Sequence, residues 1–117
     1  MGLRQRRGGR RAAVRVDERG LRVDAGGERR FLAWAELEAV ALETSGGDPT
    51  EARLAWLLGA GDGQVVLVPS DARGGQALLE RLQELPGFDR RAVLNAALSW
   101  RPRTFVCWRA PSWVPPV

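Results

Sequence analysis

The sequence contains no histidine, no tyrosine, no lysine and no isoleucine, and it has one cysteine. Histidine, lysine and tyrosine are the side chains that most often move protons near neutral pH or form Schiff bases. One cysteine cannot form an internal disulfide, and without histidine it leaves too few ligands for zinc. These absences predict a protein that is not an enzyme and that has no catalytic residues, no bound metal and no cofactor.

Long apolar runs are also missing. No run approaches the ~18 residues that a membrane-spanning helix needs. The basic first segment has neither the apolar core nor the cleavage site of a secretory signal. We therefore expect a cytoplasmic protein. With 117 residues, of which 44% are hydrophobic, the chain is long enough for one domain with a buried core.

Charge is distributed unevenly along the chain. The first eleven residues contain no acid and five arginines: Arg4, Arg6, Arg7, Arg10 and Arg11. The remaining residues are close to neutral, with 13 arginines against 14 acidic residues. We interpret residues 1–12 as a flexible Arg-rich arm, and any binding of nucleic acid or anionic lipid is expected through this arm only. The alternative is a solvated tail without a partner.

Alternating apolar and charged residues predict β-hairpins in the first half of the chain. Val14–Asp17 and Leu21–Asp24 alternate around a turn at Arg19-Gly20, and Glu28–Trp34 offers a third strand. Residues 35–42 fit either a helix or a strand, and we favour a tight turn at Ala35–Leu37 followed by a fourth strand. A loop follows at residues 45–49.

The second half of the chain predicts a further hairpin and a final strand. Residues 52–58 and 64–68 flank a run of glycines at Gly59, Gly61 and Gly63. A phosphate-binding loop would open a helix, whereas a valine-rich strand follows here, which favours a hairpin turn. Thr104–Trp108 then reads as a last strand that is apolar on both faces.

Between these strands, residues 76–98 predict two helices joined by a corner. Leu78, Leu82 and Leu85 recur on one face of the first helix, and Pro86-Gly87 ends it. Asp89 suits an N-cap for the second helix. Phe88 and Val93 have the spacing of a hydrophobic staple across that cap. The expected apolar face of the second helix consists of Val93, Leu94, Ala97 and Leu98.

Together these elements predict an α+β fold. We expect a bent antiparallel sheet of about six or seven strands, packed with two C-terminal helices, and a final strand after the helices. The domain spans residues 13–109, and residues 110–117 form a proline-rich tail.

Few residues carry reactive chemistry. Glu36 and Glu38 are the closest acidic pair at a structured joint, and catalysis would need one of them, or another acid, to meet a second polar group in a pocket. Cys107 has no neighbouring base in the sequence and reads as a buried structural cysteine.

Tryptophan is the most abundant aromatic residue. Trp34, Trp56 and Trp108 fall in predicted strands and are expected in the core. Trp100 and Trp113 lie in a connector and in the tail. They are therefore partner-binding candidates, together with Arg101 and Arg103, because Trp and Arg are enriched where proteins bind one another. The arginines have a second interpretation, which is stacking on Trp100.

Three motifs resemble those of a group of short, uncharacterised bacterial proteins. They are W-A-E-L at residues 34–37, L-P-G-F-D at residues 85–89 and F-V-C-W at residues 105–108. The order of strands, a W-x-E-L turn and packed helices also resembles bacterial pleckstrin-homology-like domains, which typically bind proteins or lipid surfaces. The strand after the helices departs from that second pattern.

The absences, the candidate residues and the resemblance together suggest a binding function. We expect a non-enzymatic adaptor that acts through contacts with an unidentified protein. One alternative is an immunity protein that neutralises a neighbouring toxin. Another is binding to an anionic membrane or nucleic acid through the arginine arm.

Overall fold

Seven β-strands and two α-helices form the part of the chain that the computed structural model describes, which is residues 12–45, 54–99 and 101–111. The predicted α+β class is confirmed, and the final strand does follow the helices. The elements in chain order are β1 (Ala13–Val16), β2 (Gly20–Ala25), β3 (Glu28–Ala33), a 3-10 turn (Trp34–Glu36), β4 (Leu37–Thr44), β5 (Leu54–Ala60), β6 (Val65–Pro69), α1 (Gly75–Leu82), α2 (Arg90–Leu98) and β7 (Arg103–Arg109).

The strands divide between two antiparallel sheets. One has three strands in the order β1-β2-β3, and the other has four in the order β6-β5-β4-β7. The 3-10 turn leads from the first sheet into β4, so the predicted tight turn followed by a fourth strand is confirmed. The predicted loop at 45–49 lies outside the described residues except for Ser45.

In the three-stranded sheet, apolar residues alternate with other residues along each strand, and this pattern determines which side chains are buried. Val14, Leu21, Val23 and Leu32 are all buried, while the residues between them face outward. Gly26 and Gly27 form the turn between β2 and β3 with positive φ angles, as their position between the two strands predicts.

The core of the four-stranded sheet is built by cross-strand rows of large side chains. Val40, Leu58 and Val66 form one such row, and all three are at most 2% exposed. The parallel row through Leu42 and Trp56 is buried too. The predicted hairpin between β5 and β6 is confirmed.

A β-bulge changes the direction of side chains in β7. Val40 pairs with Trp108, but its neighbour Ala41 pairs with Val106, so Cys107 is an extra residue on β7. Cys107 and Trp108 are consequently both buried, whereas Val106 is 42% exposed. The indole nitrogen of Trp108 donates to the carbonyl oxygen of Pro86 at 2.8 Å, which ties the corner before α2 to the sheet.

Helix α1 packs through its leucines, and Leu78 and Leu82 are completely buried. The expected helix through Leu85 is shorter than predicted. After Leu82 the backbone tightens, with the amide of Leu85 donating to the carbonyl of Leu82. The residue before Pro86 is disfavoured in helical conformation, which accounts for the early end.

Helix α2 begins at the predicted cap. The Asp89 carboxylate accepts hydrogen bonds from the amides of Arg91 and Ala92 at 2.9 and 3.3 Å. Phe88 and Val93 both pack against the core, as the staple spacing predicts.

The predicted buried face of α2 is wrong at three of its four residues. Its buried residues are Ala92 and Ala96, whereas Leu94 is 62% and Leu98 is 78% exposed, and Ala97 is exposed too. The amide of Asp89 donates to the carbonyl oxygen of Cys107, which brings the start of the helix close to β7. Only small side chains fit between backbones at that distance, so alanines face the sheet.

Trp34 lies in the 3-10 turn rather than in β3. Trp56 and Trp108 are buried as predicted, but Trp34 is only half-buried against the core. Its indole nitrogen donates to the carbonyl oxygen of Asp17 at 2.8 Å, and the Arg81 guanidinium lies 4.5 Å from its ring centre. Trp34 thus connects the β1–β2 turn to α1.

Candidate binding surfaces

Two of the four predicted partner-binding residues lie within the described part of the chain. Arg101 and Arg103 are both exposed, and the Arg103 guanidinium lies 5.2 Å from the ring centre of Phe105. Trp100 and Trp113 lie outside the described residues. The structure therefore brings Arg103 to Phe105.

The segment that carries these arginines is fixed by Thr44. The amide of Arg103 donates to the Thr44 hydroxyl at 2.9 Å, and that hydroxyl donates to the carbonyl oxygen of Arg101. Thr44 is only 3% exposed, so both bonds are shielded from water. Beside the segment lies a shallow hollow of about 500 Å³, lined by Asn95, Leu98, Ser99, Arg101, Arg103 and Phe105.

The acidic pair flanks the start of β4. Glu36 is exposed and Glu38 is half-buried, and the buried Leu37 lies between them. Within residues 12–45, 54–99 and 101–111, no group of three or more His, Cys, Asp or Glu residues could hold a metal ion.

Cys107 is 1% exposed, and its sulfur lies 3.6 Å from the carbonyl oxygen of Phe105. Burial raises the pKa of its thiol to about 11, and the negative charge of Asp89 acts in the same direction. A thiol in this environment stays protonated and is a poor nucleophile. The interpretation of Cys107 as a buried structural residue is confirmed.

We expect this thiol to make the stability of the protein fall in alkaline solution. Between about pH 9 and about 11 it ionises in the unfolded chain but stays protonated in the folded one, so the free energy of unfolding decreases as the pH rises. The chain has no lysine and no tyrosine, so no other side chain titrates there. Urea unfolding at a series of pH values measures the effect, and Cys107→Ala is expected to remove it. An equal decrease in that variant would contradict the prediction.

The solvent side of the four-stranded sheet is almost free of polar residues. One cross-strand row there contains Leu67, Leu57, Ala41 and Val106, one residue from each strand. Adjacent positions add further apolar residues on β6, β5 and β4. We call this surface the apolar face, and its members are Ala39, Ala41, Ala55, Leu57, Gly59, Val65, Leu67, Pro69 and Val106.

Exposure and shape distinguish the apolar face from ordinary surface. Val65 is 56%, Leu67 is 50% and Val106 is 42% exposed, and all three lie on the edge strands. The two central strands carry mostly alanine and glycine on this side. Small residues between larger ones make a trough that runs parallel to the strands. Antiparallel sheets usually place polar residues on their solvent side, so this surface needs an explanation.

The solvent side of the three-stranded sheet has the opposite character. Arg15, Arg22 and Phe31 form one cross-strand row, and Ala13, Asp24 and Arg29 form the next. We call these six residues the arginine face. An open groove of about 550 Å³ lies along it.

Sequence reasoning missed both faces, although signals for both are present. β5 and β6 are apolar at nearly every position rather than at alternate ones, which is typical of strands covered on both sides. In β1 to β3 the charged residues that alternate with apolar ones are also typical of an ordinary solvated face. Which of them become neighbours depends on the register between strands.

Comparison of the chain with protein-family models, with curated proteins and with solved structures found no match. The resemblance to pleckstrin-homology-like domains stays a prediction. Among the described residues, neither helix has the length and apolar character needed to cross a bilayer.

Proposed function

We propose that this protein is a non-enzymatic binding module, and that a partner protein docks an amphipathic helix into the trough of the apolar face. The observation that carries this proposal is the row from Leu67 through Leu57 and Ala41 to Val106, whose members are all partly or fully exposed in the part of the chain that the structure describes. An exposed apolar surface of this kind marks an interaction site in a folded protein.

The dimensions of the trough favour a helix. Its walls are the side chains of β6 and β7, which are separated by two strands and so lie about 14 Å apart. An α-helix with its side chains is about 10–12 Å across. Ala39, Ala41 and Gly59 allow a helix to lie low between these walls. Leu57 is the one large residue on the floor and would fit between side chains of the helix.

Polar residues limit the length of the occupant. Glu43 and Thr104 lie at one end of the face, and Arg109 lies at the other. The apolar stretch between them covers about five residues of strand, or roughly 14 Å. About three helical turns span that distance, so the partner's apolar residues should recur at i, i+3, i+4 and i+7.

The proposal is tested by photo-crosslinking in the natural host. Benzoylphenylalanine is introduced at Leu67 or at Val106, and at Leu94 as a control, because Leu94 is an apolar residue on α2 that is at least as exposed as either. Both positions on the face are expected to crosslink to the same protein, at a segment with helical apolar spacing. Ala41→Arg, which places a charge in the trough without touching the core, is expected to abolish both adducts.

Three outcomes would overturn the proposal. Adducts between two copies of this chain would show that the face is a homodimer interface. Adducts of all three positions to the same broad set of proteins would show non-specific adhesion. A crosslinked segment without helical apolar spacing would exclude the proposed occupant.

A further inference from the structure

The arginine face presents an aromatic ring among guanidinium groups. Phe31 is 47% exposed on β3 and pairs with Arg22, which in turn pairs with Arg15 on β1. The Arg22 guanidinium carbon lies 5.8 Å from the ring centre of Phe31. One side of the ring is therefore near a cation, and the ring stays accessible to solvent.

The charge of this face is positive, because its six residues include three arginines and one acid. Its only acid, Asp24, is paired with Arg29 at 3.1 Å, and both side chains are well exposed. Arg15 and Arg22 make no ion pair within the described part of the chain. A parallel bridge between Ala13 and Arg73 adds a further exposed arginine at the end of the second row. Arginine thus exceeds aspartate on this side of the sheet.

Aromatic rings and guanidinium groups together recognise single-stranded nucleic acid. A base stacks on an exposed ring whatever its sequence, and the forked guanidinium binds phosphate oxygens through two donors. Arg22 and Arg15 are about 5 and about 10 Å from the strand of Phe31. Their long side chains can reach phosphates beside a base that is stacked on the ring.

A membrane surface fits this face less well. Peripheral membrane binding combines electrostatic attraction to anionic lipids with apolar area inserted below the headgroups. Here Phe31 is the only large apolar residue on the outward side of the sheet, and it lies within a strand, not at the tip of a loop. A base of single-stranded nucleic acid needs only one accessible ring to stack on, whereas a bilayer needs several exposed apolar side chains.

We propose that the arginine face binds single-stranded nucleic acid, with Phe31 stacking on a base and Arg15 and Arg22 contacting phosphates. The sequence predicted anionic binding through residues 1–12 only. In sequence the arm ends where β1 begins, so any affinity that its arginines contribute adds to that of the face. Base contact, in this proposal, belongs to the folded sheet.

The test is fluorescence anisotropy with the full chain and labelled oligothymidylate or oligouridylate of about 12 nucleotides. At about 50 mM salt, Phe31→Ala is expected to raise the Kd about tenfold. Phe31→Leu is expected to restore little of the lost affinity, because leucine is apolar but has no ring on which a base can stack. Arg15→Ser with Arg22→Ser removes two phosphate contacts. This double variant is expected to weaken binding further. The slope of log Kd plotted against log salt concentration is expected to decrease by about 1.4, because each lost phosphate contact removes about 0.7.

The matched control is Arg90→Ser with Arg91→Ser, which removes the same charge from the exposed start of α2. It is expected to change the Kd less than twofold. Far-ultraviolet circular dichroism and thermal unfolding check that every variant is folded. These measurements do not involve the apolar face, so their result is independent of the proposed helix docking.

Several results would overturn the proposal. If the two double variants lost the same affinity for the oligonucleotides, binding would depend on the total charge of the protein and not on the arginine face. Binding that ignores Phe31→Ala but disappears when residues 1–11 are deleted would assign the affinity to the arm. Binding to phosphatidylserine vesicles that depends on Phe31, with no binding to either oligonucleotide, would assign the face to a membrane.

Discussion

Replacing Leu82 with alanine is expected to lower the free energy of unfolding by about 3 kcal/mol. Leu82 is the last residue of α1 and is completely buried, so the truncation leaves a cavity as well as a loss of apolar contact. Urea unfolding followed by circular dichroism and by tryptophan fluorescence measures the change. Trp56 and Trp108 report on the core because both are buried.

The control for Leu82 is the same substitution at Leu98. Leu98 is also the last residue of a helix, but it is 78% exposed. Leu98→Ala should therefore change the free energy of unfolding by less than about 0.5 kcal/mol. Similar losses at the two positions would contradict the packing of α1 described above and the outward orientation of Leu98.

Gly74→Ala is expected to destabilise the protein by about 3 kcal/mol or more. Gly74 precedes α1 with a φ of +85°, where a side chain is strained. A Cβ atom at this position would also meet the carbonyl oxygen of Val14, which is part of β1. Relief of that contact would move β1 away from the bridge that joins it to Arg73.

The same substitution at Gly87 distinguishes the two causes of that destabilisation, which are the strain of a positive φ angle and the contact with Val14. Its φ of +82° is nearly the same, but no atom of the other described residues, apart from its chain neighbours, lies within 4 Å of the position that a Cβ would take. Gly87→Ala should therefore cost only the conformational strain, about 1 kcal/mol. If Gly74→Ala costs no more than Gly87→Ala under the same urea unfolding conditions, the close approach of Val14 to Gly74 is wrong.

Local patterns predicted most of the secondary structure. Alternation of apolar and charged residues located β1 and β2, and the glycines located the hairpin turns. Asp89 was recognised as a cap because it follows Pro86-Gly87, and its hydrogen bonds confirm the prediction. These features depend on residues that are close together in sequence, so one chain is enough to recognise them.

Features that depend on contacts between distant residues were not predictable in the same way. Leucine is more apolar than alanine, so the sequence favoured Leu94 and Leu98 as the buried side of α2. The structure buries Ala92 and Ala96 because the helix lies close to β7. That distance is set by a backbone hydrogen bond to Cys107, which no periodicity reveals.

The candidate surfaces also differ in whether they depend on residues that are close together or far apart in the sequence. The sequence predicts Arg101 and Arg103 as partner-binding residues because tryptophan and arginine occur together there, and this role stays a prediction. The apolar face and the arginine face arise from the pairing of strands, and their members lie far apart along the chain. Alternation along β3 is enough to place Phe31 on the side opposite Leu32, but its arginine neighbours on β1 and β2 depend on the strand register.

The bulge at Cys107 has a consequence for how this protein can change length during evolution. In a regular strand Val106 and Trp108 would face the same side, and the extra residue is what separates them. Loss of one codon in β7 would therefore either expose the indole or bury the valine in its place. Insertions and deletions should be tolerated in the loops between strands and selected against in residues 106–108.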